Sequence, residues 1–453
     1  MIPQIQCPMT PATVAALAVL LCFPRPSSAQ SLDQRFGVVM STDIFKPATP
    51  RLLELGAGSV RGGCDWQEME PSELDFEWGN CSDAWVSWAQ SNGVRLLFNV
   101  GCTPGWANGN QGCNVMPSNW SDWDVFVQAF ITHYSTGAYS SAPTTVVLGF
   151  WNEPNLNGIS VDDYCNLFQT AAAARNDTDS GFVLGAPETS YHAVTDPNEH
   201  DYFASVMACI EMAPQDVVTV HYYTDTPIGV LSYIDAVDRS LADNYSGGRR
   251  EIWLTEAGAG TQPGTDGYVD ISTQAAADAG IVDAFLEGGR TEWTHVMIYR
   301  IWDNQPCCTN SLLNADLTRK PVFNVYHSRV LWSRGAGDYD TLAPGWVRRP
   351  GQAVHSADGR FQFTYQSDGN LVLSQQGTQL WASNTSGTSP GRTIMQTDGN
   401  LVIYDGSGTA VWSSGTGGNP TSYDTFLLVQ DDGNVVIANI SGQALWSTGT
   451  CCH

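Results

Sequence analysis

Apolar runs typical of strands alternate along the first three quarters of the chain with amphipathic stretches typical of helices. This alternation recurs eight times, and the predicted strands cover Phe36–Thr42, Ser59–Gly63, Arg95–Gly101, Val146–Trp151, Phe182–Ala186, Val217–Tyr222, Glu251–Thr255 and His295–Ile301. The clearest helical patterns cover Asp83–Ser91, Ser121–Tyr134, Val161–Arg175 and Ile271–Glu287. We expect Ser121, with Asp124 three residues later, to cap the second of these helices.

Strands that alternate with helices form parallel β-α-β units, and eight such units close into a (β/α)₈ barrel of the TIM type. The alternative for this pattern is an open, doubly wound sheet, which would carry a glycine-rich phosphate loop after its first strand. Ser41-Thr42-Asp43 stands at that place instead. The pattern therefore predicts an α/β domain over residues 30–335 with a (β/α)₈ barrel fold.

The pattern changes after about Ser333, where helical periodicity stops and Gly, Ser, Thr and Asn become frequent. Three related segments follow, each with Asp-Gly-Asn before an apolar run: Gln366–Ser374, Gln396–Tyr404 and Gln430–Ala438. Asp-Gly-Asn is typical of a turn that enters a strand. One tryptophan follows each copy: Trp381, Trp412 and Trp446. Three such units predict an all-β, three-fold β-prism over residues 340–453, with the tryptophans in its core.

Two glutamates stand at the ends of predicted strands. Glu153 follows the fourth strand and Glu256 follows the seventh. The carboxyl ends of all strands in such a barrel meet at one mouth, where active sites lie. Two carboxyl groups that flank a bond are the minimal equipment for breaking a glycoside. Either glutamate alone is equally consistent with a surface carboxylate or a helix cap, but the pair at two strand ends favours catalysis.

Four more side chains near strand ends are candidates for holding the substrate or supporting the glutamates: Arg61, His221, Tyr223 and Trp302. The positive charge of Arg61 would keep Glu256 ionised, and Tyr223, or its neighbour Tyr222, would donate a hydrogen bond to that carboxylate. Trp302 would offer an apolar platform for a pyranose ring. The alternatives are an exposed guanidinium for Arg61 and a structural core histidine for His221.

The first 29 residues are predicted to be a secretory signal peptide. The apolar stretch Val14–Phe23 is too short to span a bilayer, and Ser27-Ser28-Ala29 offers small residues for cleavage. Of the 12 cysteines, an even number follows this segment, which favours disulfides and a secreted, extracellular protein. Proximity in sequence suggests three pairs: Cys64 with Cys81, Cys102 with Cys113, and Cys165 with Cys209. No CxxC spacing supports a zinc site, and we expect neither a metal nor a cofactor.

The charge balance limits the partners. The chain has 20 basic and 46 acidic residues, for a formal net charge of −26. Nucleic acids and anionic membranes both require a basic face, so neither is an expected partner, and no membrane insertion is expected. The balance suits a secreted protein that acts on neutral ligands.

The barrel resembles the retaining glycoside hydrolases of clan A, in which an Asn-Glu pair ends the fourth strand and a second glutamate ends the seventh. Asn152-Glu153 and Glu256 occupy these positions, and the resemblance covers residues 31–335. Thr103-Pro104-Gly105-Trp106 and His221-Tyr222-Tyr223 are similar to the β-xylosidase and α-iduronidase family. The resemblance implies that Glu153 is the acid/base, that Glu256 is the nucleophile, and that Asn152 holds the sugar 2-hydroxyl.

The C-terminal part resembles the monocot bulb-type mannose-binding lectins, whose signature is Gln-x-Asp-x-Asn-x-Val-x-Tyr. The second repeat matches it fully, through Gln396, Asp398, Asn400, Val402 and Tyr404. Ser374 and Ala438 replace the tyrosine in the first and third repeats. The resemblance implies a mannose-like glycan as ligand of the second repeat, with weaker or absent binding at the other two.

These observations together predict a secreted retaining glycosidase that acts on oligo- or polysaccharides and carries an appended lectin domain. Two alternatives stay open at this point: a catalytically inactive barrel in a carbohydrate-binding protein, and a transglycosylase that uses the same covalent intermediate.

Overall fold

A closed barrel of eight parallel strands forms the first part of the molecule. The computed structural model describes residues 32–40, 49–178, 180–195, 201–223, 227–259, 290–302, 320–332, 341–342, 346–356, 358–396, 398–418, 425–439 and 443–452, with single positions between 274 and 285 and between 311 and 317. The barrel strands are β1 Asp33–Val39, β2 Ala57–Asp65, β3 Arg95–Gly101, β4 Val146–Phe150, β5 Val183–Thr189, β6 Val217–Tyr223, β7 Glu251–Gly258 and β8 Trp293–Ile298. Each predicted strand is confirmed within a few residues, and β1 pairs with β8 to close the barrel.

Helices lie between the first seven strands of the barrel, and one more follows the eighth strand. Their bounds are α1 Thr49–Leu55, α2 Trp66–Met69, α3 Ser82–Asn92, α4 Gly105–Asn108, α5 Trp120–Ser135, α6 Ala142–Thr145, α7 Val161–Thr178, α8 His192–Thr195, α9 Asp201–Cys209, α10 Pro227–Asn244 and α11 Pro321–Trp332. The predicted signal peptide lies outside the described residues, and most of the predicted helix over Ile271–Glu287 lies outside them too.

The predicted cap of α5 is wrong. The helix begins at Trp120, one residue earlier than its apolar pattern indicates, so Asn119 is the capping residue. The Asn119 side chain accepts a hydrogen bond from the backbone N–H of Ser121 at 3.2 Å. Ser121 therefore already lies inside the helix, where its side chain cannot take the capping position.

The interior of the barrel is filled with side chains. Leu97, Val147, Val217, Trp253 and Met297, from five different strands, form one buried cluster inside it. A larger apolar cluster fills the space between the strands and the helices outside. Because side chains fill the interior, a functional site has to lie at an end of the barrel, and in this fold it lies at the carboxyl ends of the strands.

Three disulfides confirm the pairs suggested by sequence proximity: Cys64–Cys81, Cys102–Cys113 and Cys165–Cys209. The first two anchor segments that follow β2 and β3, on the side of the barrel where the strands end. Cys451 and Cys452 are exposed and unbridged. None of the helices within the described residues has the length and apolar character to cross a membrane.

The second part is a β-prism built from three four-stranded antiparallel sheets. Its strands are β9 Thr341–Leu342, β10 Val347–Arg348, β11 Ala353–His355, β12 Phe361–Tyr365, β13 Leu371–Gln375, β14 Thr378–Ala382, β15 Pro390–Met395, β16 Leu401–Asp405, β17 Ala410–Ser413, β18 Thr425–Val429, β19 Val435–Asn439 and β20 Ala444–Ser447. The sheets run in the orders β11-β12-β13-β14, β10-β15-β16-β17 and β20-β19-β18-β9.

Each sheet carries one of the three sequence repeats, as predicted. Trp381, Trp412 and Trp446 meet edge to face, with ring centroids 5.6–5.9 Å apart. All three rings pack against the apolar core of the prism. The tryptophans therefore hold the three sheets together, in agreement with their predicted core position.

Candidate active site

The two predicted catalytic glutamates meet at the mouth of the barrel. Glu153 follows β4 by three residues, and Glu256 lies in β7. One carboxylate oxygen of each lies within 4.8 Å of the other, and both lie within that distance of a ring nitrogen of His221. Trp151 and Glu153 have left-handed φ angles of 56° and 44°. Such backbone conformations are costly for residues with a side chain and concentrate at functional sites.

Arg61 joins three strand ends. It lies in β2, is buried, and donates from Nη1 to Glu256 Oε1 at 2.6 Å and from Nη2 to Asn152 Oδ1 at 2.7 Å. Its Nε donates to Oε2 of Glu188 at 2.7 Å. A planar guanidinium presents its donors in a fixed fork, so these three bonds fix the relative positions of the partners. Its burial excludes the alternative of an exposed surface guanidinium.

Glu188 belongs to the same cluster, although the sequence analysis does not identify it. It lies near the end of β5, is fully buried, and has a left-handed φ of 56°. The predicted fifth strand ends at Ala186, three residues before the end of β5, so the prediction does not place Glu188 at a strand end. The same criterion that found Glu153 and Glu256 would have found it with the correct strand boundary.

His221 and Tyr223 complete the cluster from β6. His221 is fully buried, and its Nδ1 lies 3.1 Å from Glu153 Oε1 and 3.8 Å from Glu256 Oε2. Its Nε2 lies 3.5 Å from Glu188 Oε2. Tyr223 donates from its hydroxyl to Glu256 Oε2 at 2.7 Å. Of the two tyrosines considered from sequence, Tyr223 is the one that bonds Glu256.

The charges in this cluster shift one another's pKa values. Burial lowers the pKa of His221, but the charge of Glu256, the hydrogen bond to Glu153 and the nearby Glu188 outweigh it and raise the pKa to about 9. Burial raises the pKa of Glu188, yet Arg61 and His221 hold that pKa at about 2. For Glu153, burial is outweighed by the hydrogen bond and charge of His221, so its pKa is lowered. At neutral pH the cluster therefore pairs a cationic Arg61 and a cationic His221 with carboxylates.

The same three side chains, Glu153, His221 and Glu256, are close enough to hold a cation. A protonated His221 has no lone pair to offer a metal, and Arg61 already places a positive charge on Glu256. Cys64, Glu68 and Cys81 form a second cluster of this kind. Its cysteines are joined in a disulfide and offer no thiolate. The geometry therefore favours direct carboxylate chemistry at the mouth.

Trp302, the predicted sugar platform, follows β8 by four residues and is half-buried. Its ring packs against the main core of the barrel domain. Arg61, His221 and Tyr223 form hydrogen bonds to the two glutamates, and Asn152 joins them through Arg61. The platform role of Trp302 stays a prediction.

The second repeat of the prism groups its signature residues around one turn and the strand that follows. Gln396 Nε2 donates to the Tyr404 hydroxyl at 2.8 Å. Asp398 Oδ1 accepts the backbone N–H of Asn400 at 3.0 Å, and the Asp398 side chain is exposed. Val402, expected to lie against a sugar ring, is 3% exposed, so only an edge of it reaches the surface.

Asn400 has a structural role that its sequence motif does not reveal. Its Oδ1 accepts from Ser414 Oγ and from the backbone N–H of Gly415, both at 3.0 Å. Asn370 and Asn434 also accept from a hydroxyl and a backbone N–H, but the N–H lies one residue further along the loop than in the second repeat. The asparagine therefore closes a loop in every repeat, whether or not that repeat has the tyrosine.

Comparison with known proteins supports both parts of this description. Residues 75–316, more than half of the chain, match the family model described as the glycosyl hydrolase catalytic core. The GH39 enzyme from Xanthomonas axonopodis pv. citri superposes with a TM-score of 0.52 at 14% identity, over 77% of this chain and 74% of that one. A monomeric β-xylosidase from Caulobacter crescentus CB15 superposes with a TM-score of 0.51 at 16% identity, over 78% and 77%. At these identities the two structures show the shared fold alone.

A short stretch of the chain is similar to lectins. It is 45% identical over 60 residues to a mannose-specific lectin from Aloe arborescens, which is 13% of this chain and 55% of the lectin. The chain spans about half the length of the curated relatives it matches. From the family model, together with the closed barrel and the glutamates at its mouth, the chain belongs to the glycosyl hydrolase catalytic core family.

Proposed function

We propose that this protein is a secreted, retaining O-glycosidase that works by double displacement through a covalent glycosyl-enzyme. The separation of Glu153 and Glu256 carries the proposal. In retaining glycosidases the two carboxyl groups lie about 5–5.5 Å apart, whereas inverting enzymes need about 6.5–9.5 Å to admit a water molecule between them. The nearest oxygens of Glu153 and Glu256 lie within 4.8 Å of each other, which supports a closely spaced pair rather than one held apart by an intervening water.

Glu256 is the nucleophile in this proposal. Both of its oxygens accept hydrogen bonds, Oε1 from Arg61 and Oε2 from Tyr223. These donors hold the carboxylate in one orientation. It attacks the anomeric carbon while the glycosidic oxygen leaves, which forms an ester between Glu256 and the sugar.

Glu153 is the acid and then the base. Its hydrogen bond to His221 lets the pair share one proton, which His221 holds in the resting site and passes through Glu153 to the leaving oxygen. In the second step Glu153 takes a proton from water as the water attacks the ester. The proton thus returns to the Glu153–His221 pair, and the anomeric configuration is retained after two inversions.

Glu188 is a positioning residue in the proposal. Its carboxylate touches Arg61 and lies at ion-pair distance from His221, but Glu188 itself is fully buried. It therefore acts through these two side chains. It orients the Arg61 fork toward Glu256 and Asn152, and its negative charge stabilises the protonated form of His221.

The prism is proposed to hold the enzyme near its substrate. We assign residues 30–335 to the catalytic domain and residues 340–453 to a lectin domain whose second repeat takes a mannose-like sugar through Gln396, Asp398, Asn400, Val402 and Tyr404. Binding of a neighbouring glycan by one domain raises the effective concentration of substrate at the other. The similarity to mannose-specific lectins supports the assignment.

Product stereochemistry tests the proposed mechanism. Chromogenic glycosides and plant, fungal and bacterial polysaccharides first identify a substrate, and NMR then records the anomer formed in the first minutes. We expect net retention. An inverted first product would overturn the double-displacement mechanism, and turnover that transfers sugar to an acceptor in place of water would make the protein a transglycosylase.

A further inference from the structure

Hydrogen bonds align the ends of the three prism repeats residue by residue. In each repeat a threonine donates from Oγ1 to the carbonyl of the glycine in Asp-Gly-Asn: Thr385 to Gly369, Thr416 to Gly399 and Thr450 to Gly433. The two residues after each threonine are therefore equivalent. They are Ser386-Gly387, Gly417-Gly418 and Cys451-Cys452.

The second of these positions has a left-handed backbone in every repeat. Its φ is 85° at Gly387, 88° at Gly418 and 80° at Cys452. The backbone N–H of Gly387 donates to the carbonyl of Asp368, and that of Cys452 donates to the carbonyl of Asp432 at 2.8 Å. Glycine adopts this conformation freely, but a residue with a Cβ adopts it only at a cost. The third repeat therefore bears this cost at Cys452, where the other repeats have glycine.

The two cysteine side chains at this position lie close together. Their Sγ atoms lie 3.1 Å apart, and both residues are exposed. The sulfurs need to approach by only about 1 Å to reach the 2.03–2.05 Å of a disulfide bond. Cα atoms of adjacent residues are about 3.8 Å apart, which is below the usual 4.4–6.8 Å for bridged cysteines. A bond formed here is strained and more easily reduced than the three disulfides of the barrel domain.

We propose that Cys451 and Cys452 close into a vicinal disulfide, a small ring that maintains in the third repeat the left-handed backbone that glycine provides in the other two. One thiolate attacks a low-molecular-weight disulfide such as oxidised glutathione and forms a mixed disulfide, releasing one glutathione thiol. The second thiolate then displaces the other glutathione. Two S–H bonds of the protein are replaced by one S–S bond, and oxidised glutathione is reduced to two thiols.

Mass spectrometry of the full-length protein tests this bond directly. Trypsin releases Thr393–His453 as one peptide because no Lys or Arg follows Arg392, and Cys451 and Cys452 are its only cysteines. After denaturation in iodoacetamide without reductant, we expect this peptide unalkylated and lighter than the dithiol by two hydrogens. After reduction it should take two alkyl groups. Two alkyl groups without reductant, or a peptide linked to Cys307, Cys308 or a second chain, would overturn the proposal.

Two double variants test whether the ring takes the place of glycine. Cys451→Ser with Cys452→Gly copies the Ser386-Gly387 pair of the first repeat, whereas Cys451→Ser with Cys452→Ser keeps a Cβ at the left-handed position without a ring. We expect the oxidised wild type and the glycine variant to unfold thermally at similar temperatures, and the serine variant to unfold at a lower one. If the two double variants unfold at the same temperature, the ring has no such role.

A titration with dithiothreitol tests whether the bond is strained. We expect the Cys451–Cys452 bond to be reduced before the three disulfides of the barrel domain. Reduction in the reverse order would show that the Cys451–Cys452 bond is not the more easily reduced one.

Discussion

The barrel mouth and the prism place their polar side chains in opposite ways. At the mouth, Arg61, His221 and three glutamates come from five different strand segments and bond one another. Most of this cluster is buried. In the prism, one motif is repeated three times, and its polar residues bond mainly within a single turn or to the adjacent loop.

This difference determines how each region responds to substitution. Removing one member of a buried charge cluster leaves its partner as an uncompensated charge. This lowers the free energy of unfolding by about 3–5 kcal/mol. Removing one exposed hydrogen bond costs about 0.5–1.5 kcal/mol. We therefore expect large, non-additive effects at the mouth and small, local effects in the prism. The following changes test that expectation, in order of decreasing effect.

Glu256→Ala should have the largest effect. Without this carboxylate no glycosyl-enzyme can form, so kcat should fall by roughly 10⁴-fold or more on every substrate. Steady-state kinetics on the best chromogenic glycoside measures the loss. Circular dichroism has to show a folded variant, since the change also leaves Arg61 without one of its partners. A folded variant that keeps a tenth of the activity would exclude Glu256 as nucleophile.

Glu153→Ala should lower kcat by about 10²–10⁴-fold, depending on the leaving group. Aryl glycosides with acidic phenols need little protonation, so their first step should be spared while the second step becomes limiting. Added azide should restore turnover, because this anion attacks the glycosyl-enzyme without a general base. Azide should not restore Glu256→Ala in the same way. Failure of azide with a folded Glu153→Ala variant would contradict the assigned roles.

The pH dependence of kcat/KM should show whether His221 or Glu153 holds the shared proton. With a pKa of about 9, His221 holds the shared proton at neutral pH, so kcat/KM of the wild type should decline as pH rises toward 9. In His221→Gln only Glu153 can hold that proton, and a carboxylic acid loses it at lower pH. The decline should therefore move to lower pH by more than one unit. An unmoved decline would show that the proton resides on Glu153 without His221.

Glu188→Gln is the matched variant for this test. It preserves the shape of the side chain but removes a negative charge 3.5 Å from His221 Nε2. The pKa of His221 should then fall, and the decline in kcat/KM should move to lower pH, by less than with His221→Gln. A variant that only loosens the structure would lower kcat without moving the profile, which distinguishes the two explanations.

The comparison also explains which features were predictable from sequence. The strands and the prism repeats follow from local periodicity, so all eight barrel strands were found to within a few residues. Arg61 and His221 were found because strand ends in a barrel share one mouth. Glu188 was missed because the strand boundary was placed at Ala186. The role of Asn400 was missed because its partners, Ser414 and Gly415, lie far along the chain, where a sequence motif gives no information about contacts.

Tyr404→Phe in the second prism repeat should have the smallest effect. It removes one hydroxyl, which accepts from Gln396 and is the group that the first and third repeats lack. A monosaccharide in such a small polar site should bind with a Kd on the order of millimolar, or about 4 kcal/mol. Loss of one hydrogen bond of about 0.5–1.5 kcal/mol should weaken binding by a few-fold to about tenfold. Calorimetry of the full chain with a mannoside measures the change.

Ser374→Ala, at the same position of the first repeat, is the matched control and should leave binding unchanged. Asn400→Ala is a poorer probe, because the bonds to Ser414 and Gly415 make it a test of folding as well as of binding. Asn370→Ala measures that folding cost in a repeat without the tyrosine. If Tyr404→Phe and Ser374→Ala weaken binding equally, the tyrosine does not distinguish the second repeat. If neither Tyr404→Phe nor Asn400→Ala changes binding, the sugar site lies outside this repeat. The Gln-x-Asp-x-Asn-x-Val-x-Tyr signature would then not mark the sugar site of this prism.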